Sequence, residues 1–163
     1  MDFSETVREE IAKHCQASDS TALPYLPTAN CTQCGYSTKV GRIIKVLTYP
    51  SEHYSTVIVL SSNEGIHPAT REDKRRLVAF MGDVNDWLDY GAVIFTQEQE
   101  EICYKTAQIF TEREAVRPTL AFMLEQHERN FASIAESVKI LFGDLSKEPG
   151  QLALELRRSL VQN

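Results

Sequence analysis

The chain has 163 residues, of which 42% are hydrophobic and 25% are charged, and its formal net charge is −6. This length fits a single domain that buries a core without disulfides or metal, and the ordinary composition excludes long disordered segments. The negative charge, without a basic run between aromatic residues, argues against a nucleic-acid partner.

The first residues, Met1 to Arg8, lack the basic start and apolar run of a secretion signal. No stretch reaches the roughly 18 apolar residues of a membrane span. The sequence therefore predicts a cytoplasmic protein without a membrane partner, in which cysteines serve as free thiols or metal ligands rather than disulfides.

A short amphipathic helix is predicted from Ser4 to Cys15, with Ser4 as its N-cap, as a lid on a sheet. Its apolar stripe is Val7, Ile11 and Cys15. Residues 16–30 follow, where Pro24 and Pro27 disfavour regular structure and predict a surface loop.

Three strands are predicted next: a weak edge strand over residues 34–40, then strands over 41–49 and 54–60 with a turn that begins at Pro50. The second and third strands are apolar on both faces. That pattern predicts central strands covered on both sides.

The next helix begins at Thr70, which caps it, and Asp73 lies where the helix dipole favours a negative charge. Gly91 is the predicted stop. The buried stripe is Leu77, Phe80, Met81, Val84, Trp87 and Leu88, and the polar face is Arg71, Lys74, Arg75, Asp83, Asn85 and Asp86.

After Gly91 the spacing of the apolar residues changes from helical to a period of two residues, which is typical of strands. This pattern predicts a hairpin of strands 92–96 and 102–110 around an acidic turn. The turn lacks an Asn-Gly signature, so the register stays open.

The last long helix has two candidate starts. Arg117 is favoured because Pro118 suits the first helical position. Thr111 with Glu114 matches a capping box, and that start places Pro118 inside the helix. With either start, the helix is predicted to end at Gly143 and to carry the same stripe of residues along one face. The stripe consists of Leu120, Leu124, His127, Phe131, Ile134, Val138 and Leu141.

Residues 1–143 form the predicted domain, and residues 144–163 are a linker and helical tail. The tail carries Leu152, Leu156 and Leu160 at four-residue spacing. This helix either folds back on its own domain or contacts a partner.

The Cys31-x-x-Cys34 spacing fits two ligands of a zinc ion or a redox dithiol, with His14 and Cys15 as further candidate ligands. The competing and favoured interpretation is ordinary free thiols in a loop.

The other polar residues do not form a catalytic motif. His127 lies on an apolar helix face, which favours a hydrogen-bonded core or interface imidazole. Glu98, Glu100 and Glu101 at the hairpin tip are interpreted as solvated charges. No hydrolase, zinc-hydrolase or phosphate-loop signature occurs in the sequence, so no catalytic, cofactor-binding or metal residue is assigned.

Residues 77–142 resemble the YbjN-domain family, which carries the label of bacterial sensory transduction regulators. The resemblance rests on the helix end Asn85-Asp86-Trp87-Leu88-Asp89-Tyr90-Gly91, the strand 92–95, an acidic turn, the strand 101–106 and a long helix led by Pro118.

The resemblance implies a fold similar to type III secretion chaperones, in which helices pack on one twisted, mainly antiparallel sheet. It also implies a homodimer that binds segments of other proteins, and it carries over no site residue. We therefore predict a non-enzymatic α+β protein-binding module of chaperone-like or regulatory type, without a cofactor. The alternatives are a small enzyme with a dispersed site and a metal or redox module built on Cys31 and Cys34.

Overall fold

The structure is a computed structural model, and it describes residues 1–63, 65–96 and 100–161. Within these residues the chain forms four helices and one seven-stranded antiparallel sheet on which helices pack. The predicted α+β class and, roughly, the predicted order of elements are confirmed. The elements are α1 (Ser4–Ser18), β1 (Thr21–Ala22), β2 (Leu26–Pro27), β3 (Thr32–Ser37), β4 (Arg42–Pro50), β5 (Ser55–Asn63), α2 (Arg71–Trp87), β6 (Ala92–Thr96), β7 (Glu101–Phe110), α3 (Arg113–Gly143) and α4 (Pro149–Val161).

The strand order in the sheet is β1-β3-β4-β5-β7-β6, and β2 also pairs with β3. The predicted hairpin of β6 and β7 is confirmed. Its register, which the sequence leaves open, places Ala92 opposite Lys105 and Thr96 opposite Glu101. The apolar strands β4 and β5 lie at the centre of the sheet, as their composition predicts.

The core consists of two apolar clusters on the face of the sheet that the helices cover. The first cluster lies under α1 and the first half of α3 and contains Phe3, Val7, Ile11, Cys15, Cys34, Tyr36, Ile44, Val46, Val57, Val59, Phe110, Val116, Leu120, Met123 and Leu124. The second cluster joins α2, α4 and the second half of α3 and contains Ile66, Leu77, Phe80, Val84, Val93, Ile102, Tyr104, Phe131, Ile134, Ala135, Val138, Leu141, Leu152, Ala153 and Leu156.

Helix α3 spans both clusters with 31 residues, and the favoured start near Arg117 is wrong. The helix begins at Arg113 with Glu112 as N-cap, so Pro118 lies inside it. A proline there removes one backbone hydrogen bond. Val116 is fully buried in the first core cluster, and this contact holds the turn before Pro118 in the helix.

The sequence predicts Ser4 as the N-cap of helix α1, but the helix begins one residue earlier than that position implies. Phe3 is the N-cap and Ser4 is the first helical residue. The Asp2 carboxylate accepts hydrogen bonds from the Ser4 backbone N–H at 2.8 Å and from its hydroxyl at 2.6 Å. The helix continues to Ser18, and the left-handed Asp19 (φ 53°) ends it. The loop predicted after it contains the short strands β1 and β2.

Helix α2 confirms the predicted cap. Thr70 Oγ1 accepts from the Asp73 backbone N–H at 3.0 Å, and the Asp73 carboxylate accepts from the Thr70 N–H at 2.9 Å. The helix ends at Trp87, so the predicted stop at Gly91 is wrong. Gly91 has a φ of 83° and lies directly before β6.

Helix α4 packs against α2 and α3. Its buried residues are Leu152, Ala153 and Leu156. The segment before α4 is held by Arg76, whose guanidinium donates to the backbone carbonyls of Asp144, Leu145 and Lys147.

Candidate functional site

The most prominent surface feature is the face of the sheet opposite the helices. Side chains along a strand alternate between the two faces, and the helices pack on one of them. The other face, in the described part of the chain, carries no helix; we call it the open face. Its apolar side chains are Ile43, Leu47, Tyr49, Ile58, Leu60, Ile94, Ala107 and Ile109.

The strand register brings these side chains together. Leu47 lies opposite Ile58, which in turn lies opposite Ala107. In the row beside it, Thr56 lies between Tyr49 and Ile109. Directly opposite residues on one face are in contact distance, so the apolar side chains form one patch that crosses β4, β5 and β7.

The patch is open to solvent. Ile109 is 59% exposed and Tyr49 is 39% exposed, while Leu47, Ile58 and Leu60 are half-buried. Among the described residues, none of these five is a member of either core cluster or is packed against one. Contiguous exposed apolar surface of this kind marks interaction sites in soluble domains.

The open face overturns one expectation. Strands β4 and β5 were predicted to be covered on both sides, and the structure covers only one. A signal for this was present in the sequence. Lys45 interrupts the apolar run of β4, and a lysine on a strand face indicates solvent on that side because lysines are almost never fully buried.

The centre of the open face is positively charged. Lys45 and Lys105 lie on either side of Leu60, one strand away from it in each direction. Neither lysine forms a salt bridge within the residues that the structure describes. Glu101 lies at the far end of the face, opposite Thr96. The patch is therefore locally basic on a chain whose net charge is −6.

His127, which the sequence places in a core or an interface, lies in the core. Its Nδ1 is 2.7 Å from the Ser61 hydroxyl and its Nε2 is 2.8 Å from the Thr106 hydroxyl. The ring packs on Tyr104 at 4.6 Å between centroids. Burial lowers the pKa of His127 to about 3, so the imidazole is neutral at physiological pH and fixed between two hydroxyls. No sequence pattern identifies these two partners, because both lie far from His127 in the chain.

A second polar cluster joins α1, β3 and α3. The Glu128 carboxylate accepts a hydrogen bond from the Tyr36 phenol at 2.8 Å and lies 2.9 Å from His14 Nε2. Arg42 donates to the Glu128 backbone carbonyl at 2.8 Å. Burial, followed by the contact with Glu128, raises the pKa of Tyr36. This phenol therefore stays protonated, and with Arg42 of β4 the cluster links four elements of the fold.

The cysteines do not assemble the predicted site. Cys34 lies in β3 and points into the first core cluster, whereas Cys31 precedes that strand, next to Thr32, which pairs with Thr48. Burial and the neighbouring Cys15 thiol raise the pKa of Cys34 to about 12. The structure thus separates the two thiols that a shared metal ion or a dithiol requires. Of the two further candidate ligands, His14 faces Glu128 and Cys15 lies in the first core cluster.

The hairpin-tip glutamates are also dispersed. Glu100 pairs with Lys74 at 3.0 Å and is exposed, while Glu101 begins β7. Glu98 lies outside the described residues. No group of three or more His, Cys, Asp or Glu side chains that could hold a metal ion occurs in the described ranges.

None of the helices found in those ranges combines the length and the apolar character needed to cross a membrane. Comparison of the chain with protein-family models, curated proteins and solved structures found no match.

Proposed function

We propose that this chain is a non-enzymatic protein-binding module of chaperone-like or regulatory type, which works in the cytoplasm and binds a segment of a partner protein through the open face. The observation that carries the proposal is the apolar patch of Leu47, Ile58, Leu60 and Ile109 on central strands. A sheet normally buries its apolar face against another layer. A bound partner segment would supply that layer.

The environment of His127 in the core supports a binding role over the enzyme alternative. His127 has the strongly shifted pKa that an active site often contains. However, its side chain is fully buried and both ring nitrogens contact hydroxyls. A substrate would reach it only if the two core clusters separated.

The proposed function also includes the formation of a homodimer. Each copy of the chain has a net charge of −6, so the dimer interface would have to outweigh the repulsion between the two copies. Sedimentation velocity over a range of concentrations measures the oligomeric state directly, and a monomer at all concentrations would contradict this part alone.

The partner-binding proposal is tested with an affinity capture from the native host followed by reconstitution. The captured protein is identified by mass spectrometry and purified, and its affinity is measured by calorimetry. We expect the variant Leu47→Thr/Ile58→Thr to lose this binding, because threonine keeps the strand and removes the apolar contact.

The matched control is Val78→Thr, a change of an equally apolar residue that is 68% exposed on helix α2. It should bind as the unchanged protein does. A captured protein that binds the open-face variant as tightly as the unchanged protein contradicts the proposal.

A further inference from the structure

We propose that the occupant of the open face is an amphipathic α-helix of another protein, whose apolar stripe is flanked by acidic residues that pair with Lys45 and Lys105. This inference rests on the proposed function and adds the chemistry of the partner.

The backbone of the open face argues for a helix rather than an extended segment. The central strands β4 and β5 are paired on both sides, so their main-chain groups already have partners. An extended peptide laid on this face would leave its own N–H and C=O groups without partners against apolar side chains, which is costly. A helix satisfies its backbone internally and presents only side chains.

The size of the patch also fits one helix. From Ile43 to Tyr49 the face is about 20 Å long, and the four strands β4, β5, β7 and β6 are about 15 Å across, at the usual spacings within a sheet. A helix of about 14 residues is about 20 Å long and about 10 Å wide.

Charge argues against a second copy of this chain on the open face, so a homodimer would form through another surface. Two open faces packed together would place Lys45 and Lys105 of each copy in one interface. Like charges brought together in this way are unfavourable. Acidic residues beside the apolar stripe of a foreign helix would instead pair with the two lysines, which lie about 10 Å apart across β4, β5 and β7.

The test uses a phage-displayed library of 14-residue helical peptides with a fixed leucine stripe and either Glu or Lys at each flanking position. The library is selected on the unchanged protein, on Lys45→Glu/Lys105→Glu and on Lys13→Glu/Lys139→Glu. The last variant has the same change in charge on exposed lysines of α1 and α3, away from the open face.

We expect Glu to be enriched at the flanks of peptides selected on the unchanged protein and on Lys13→Glu/Lys139→Glu. Lys should be enriched on Lys45→Glu/Lys105→Glu, and a Glu-flanked peptide should bind that variant about tenfold more weakly or worse.

Two other results would overturn the inference. If the selected peptides show no flank preference but lose binding to Leu47→Thr/Ile58→Thr, the acidic chemistry is wrong and the proposed function stands. If no peptide is selected, or if binding to Leu47→Thr/Ile58→Thr persists, the open face does not dock a helix, and its role in the proposed function fails as well.

Discussion

The side-chain amide of Asn85 makes two hydrogen bonds to the backbone of Val93. Its Nδ2 donates to the Val93 carbonyl at 2.9 Å, and its Oδ1 accepts from the Val93 N–H at 2.8 Å. Val93 lies on β6, the last strand of the sheet. The amide therefore occupies backbone groups that an edge strand otherwise offers to another chain.

We expect Asn85→Ala to lower the free energy of unfolding by about 1–2 kcal/mol, because both Val93 groups lose their protein partner. Asn85→Asp keeps the acceptor but turns a carboxylate oxygen toward the Val93 carbonyl oxygen, so this variant should be destabilised as well. Urea denaturation measures both. The control Asp86→Ala changes the next exposed residue of the same helix and should stay within about 0.5 kcal/mol; equal effects of Asn85→Ala and Asp86→Ala would contradict the assigned role.

His127 separates the two core clusters along α3, since Leu124 belongs to the first and Phe131 to the second. Its pKa is about 3 in the folded chain, against 6.5 for a free histidine. Between about pH 3 and pH 6.5, the unfolded chain therefore binds a proton at His127, whereas the folded chain does not. The contribution of His127 to stability is full above pH 6.5 and is lost as the pH falls toward 3.

This linkage predicts that lowering the pH from 7.5 to 5 removes about 2 kcal/mol of unfolding free energy through His127 alone. Other groups also titrate, so the measurement compares the unchanged protein with His127→Gln, which keeps a polar side chain that does not titrate. The difference in stability between the two proteins should shrink as the pH falls. Parallel curves between pH 7.5 and pH 5 would show that the imidazole is not held neutral.

Local features of the fold were predictable from the sequence. The Thr70 cap, the stripe of α3 and the hairpin of β6 and β7 all depend on residues close together in the chain. Partners distant in sequence were not. Ser61 is 66 residues from His127, and hydrophobic periodicity contains no information about which hydroxyl meets which ring nitrogen.

The two main errors have the same physical origin. Pro118 lies inside α3 because tertiary burial of Val116 outweighs a local preference. The open face differs from the prediction because apolar residues on both sides of β4 specify two possible layers, and Lys45 alone indicates which side of that strand the helices leave uncovered. The candidate site, the open face, is thus the part of the sheet where the coverage predicted from the sequence pattern differs from the coverage found in the fold.

Gly91 is expected to be intolerant of a side chain. Its φ is 83°, and an added Cβ would lie 2.7 Å from the Lys105 carbonyl oxygen and 2.8 Å from the Tyr104 ring. Gly91→Ala should therefore cost about 2 kcal/mol or more, from backbone strain and the close contact. Gly82→Ala is the matched control in α2, where a Cβ meets nothing within 4 Å. Gly82→Ala should stabilise the protein by about 0.5–1 kcal/mol. Thermal melts of both variants check that the Tm falls for Gly91→Ala and rises for Gly82→Ala.

The reactivity of the four cysteines should single out Cys31. Burial raises the pKa of Cys15, of Cys34 to about 12 and of Cys103 to about 11. Thiolates are the reactive form, so these three thiols should be slow. Cys31 is only half-buried. A disulfide reagent at pH 8 should therefore label one thiol quickly in the folded protein and four in urea.

Cys31→Ser should remove the fast phase, and Cys103→Ser should leave it unchanged. A second thiol that reacts as fast as Cys31 in the folded protein would contradict the burial of β3 and β7 against their neighbours. Cys31 directly precedes Thr32, which pairs with Thr48 next to Tyr49, so its labelling rate also reports on the edge of the open face. A helix bound there should slow the fast phase, whereas a partner bound to the helical side of the sheet should leave it unchanged.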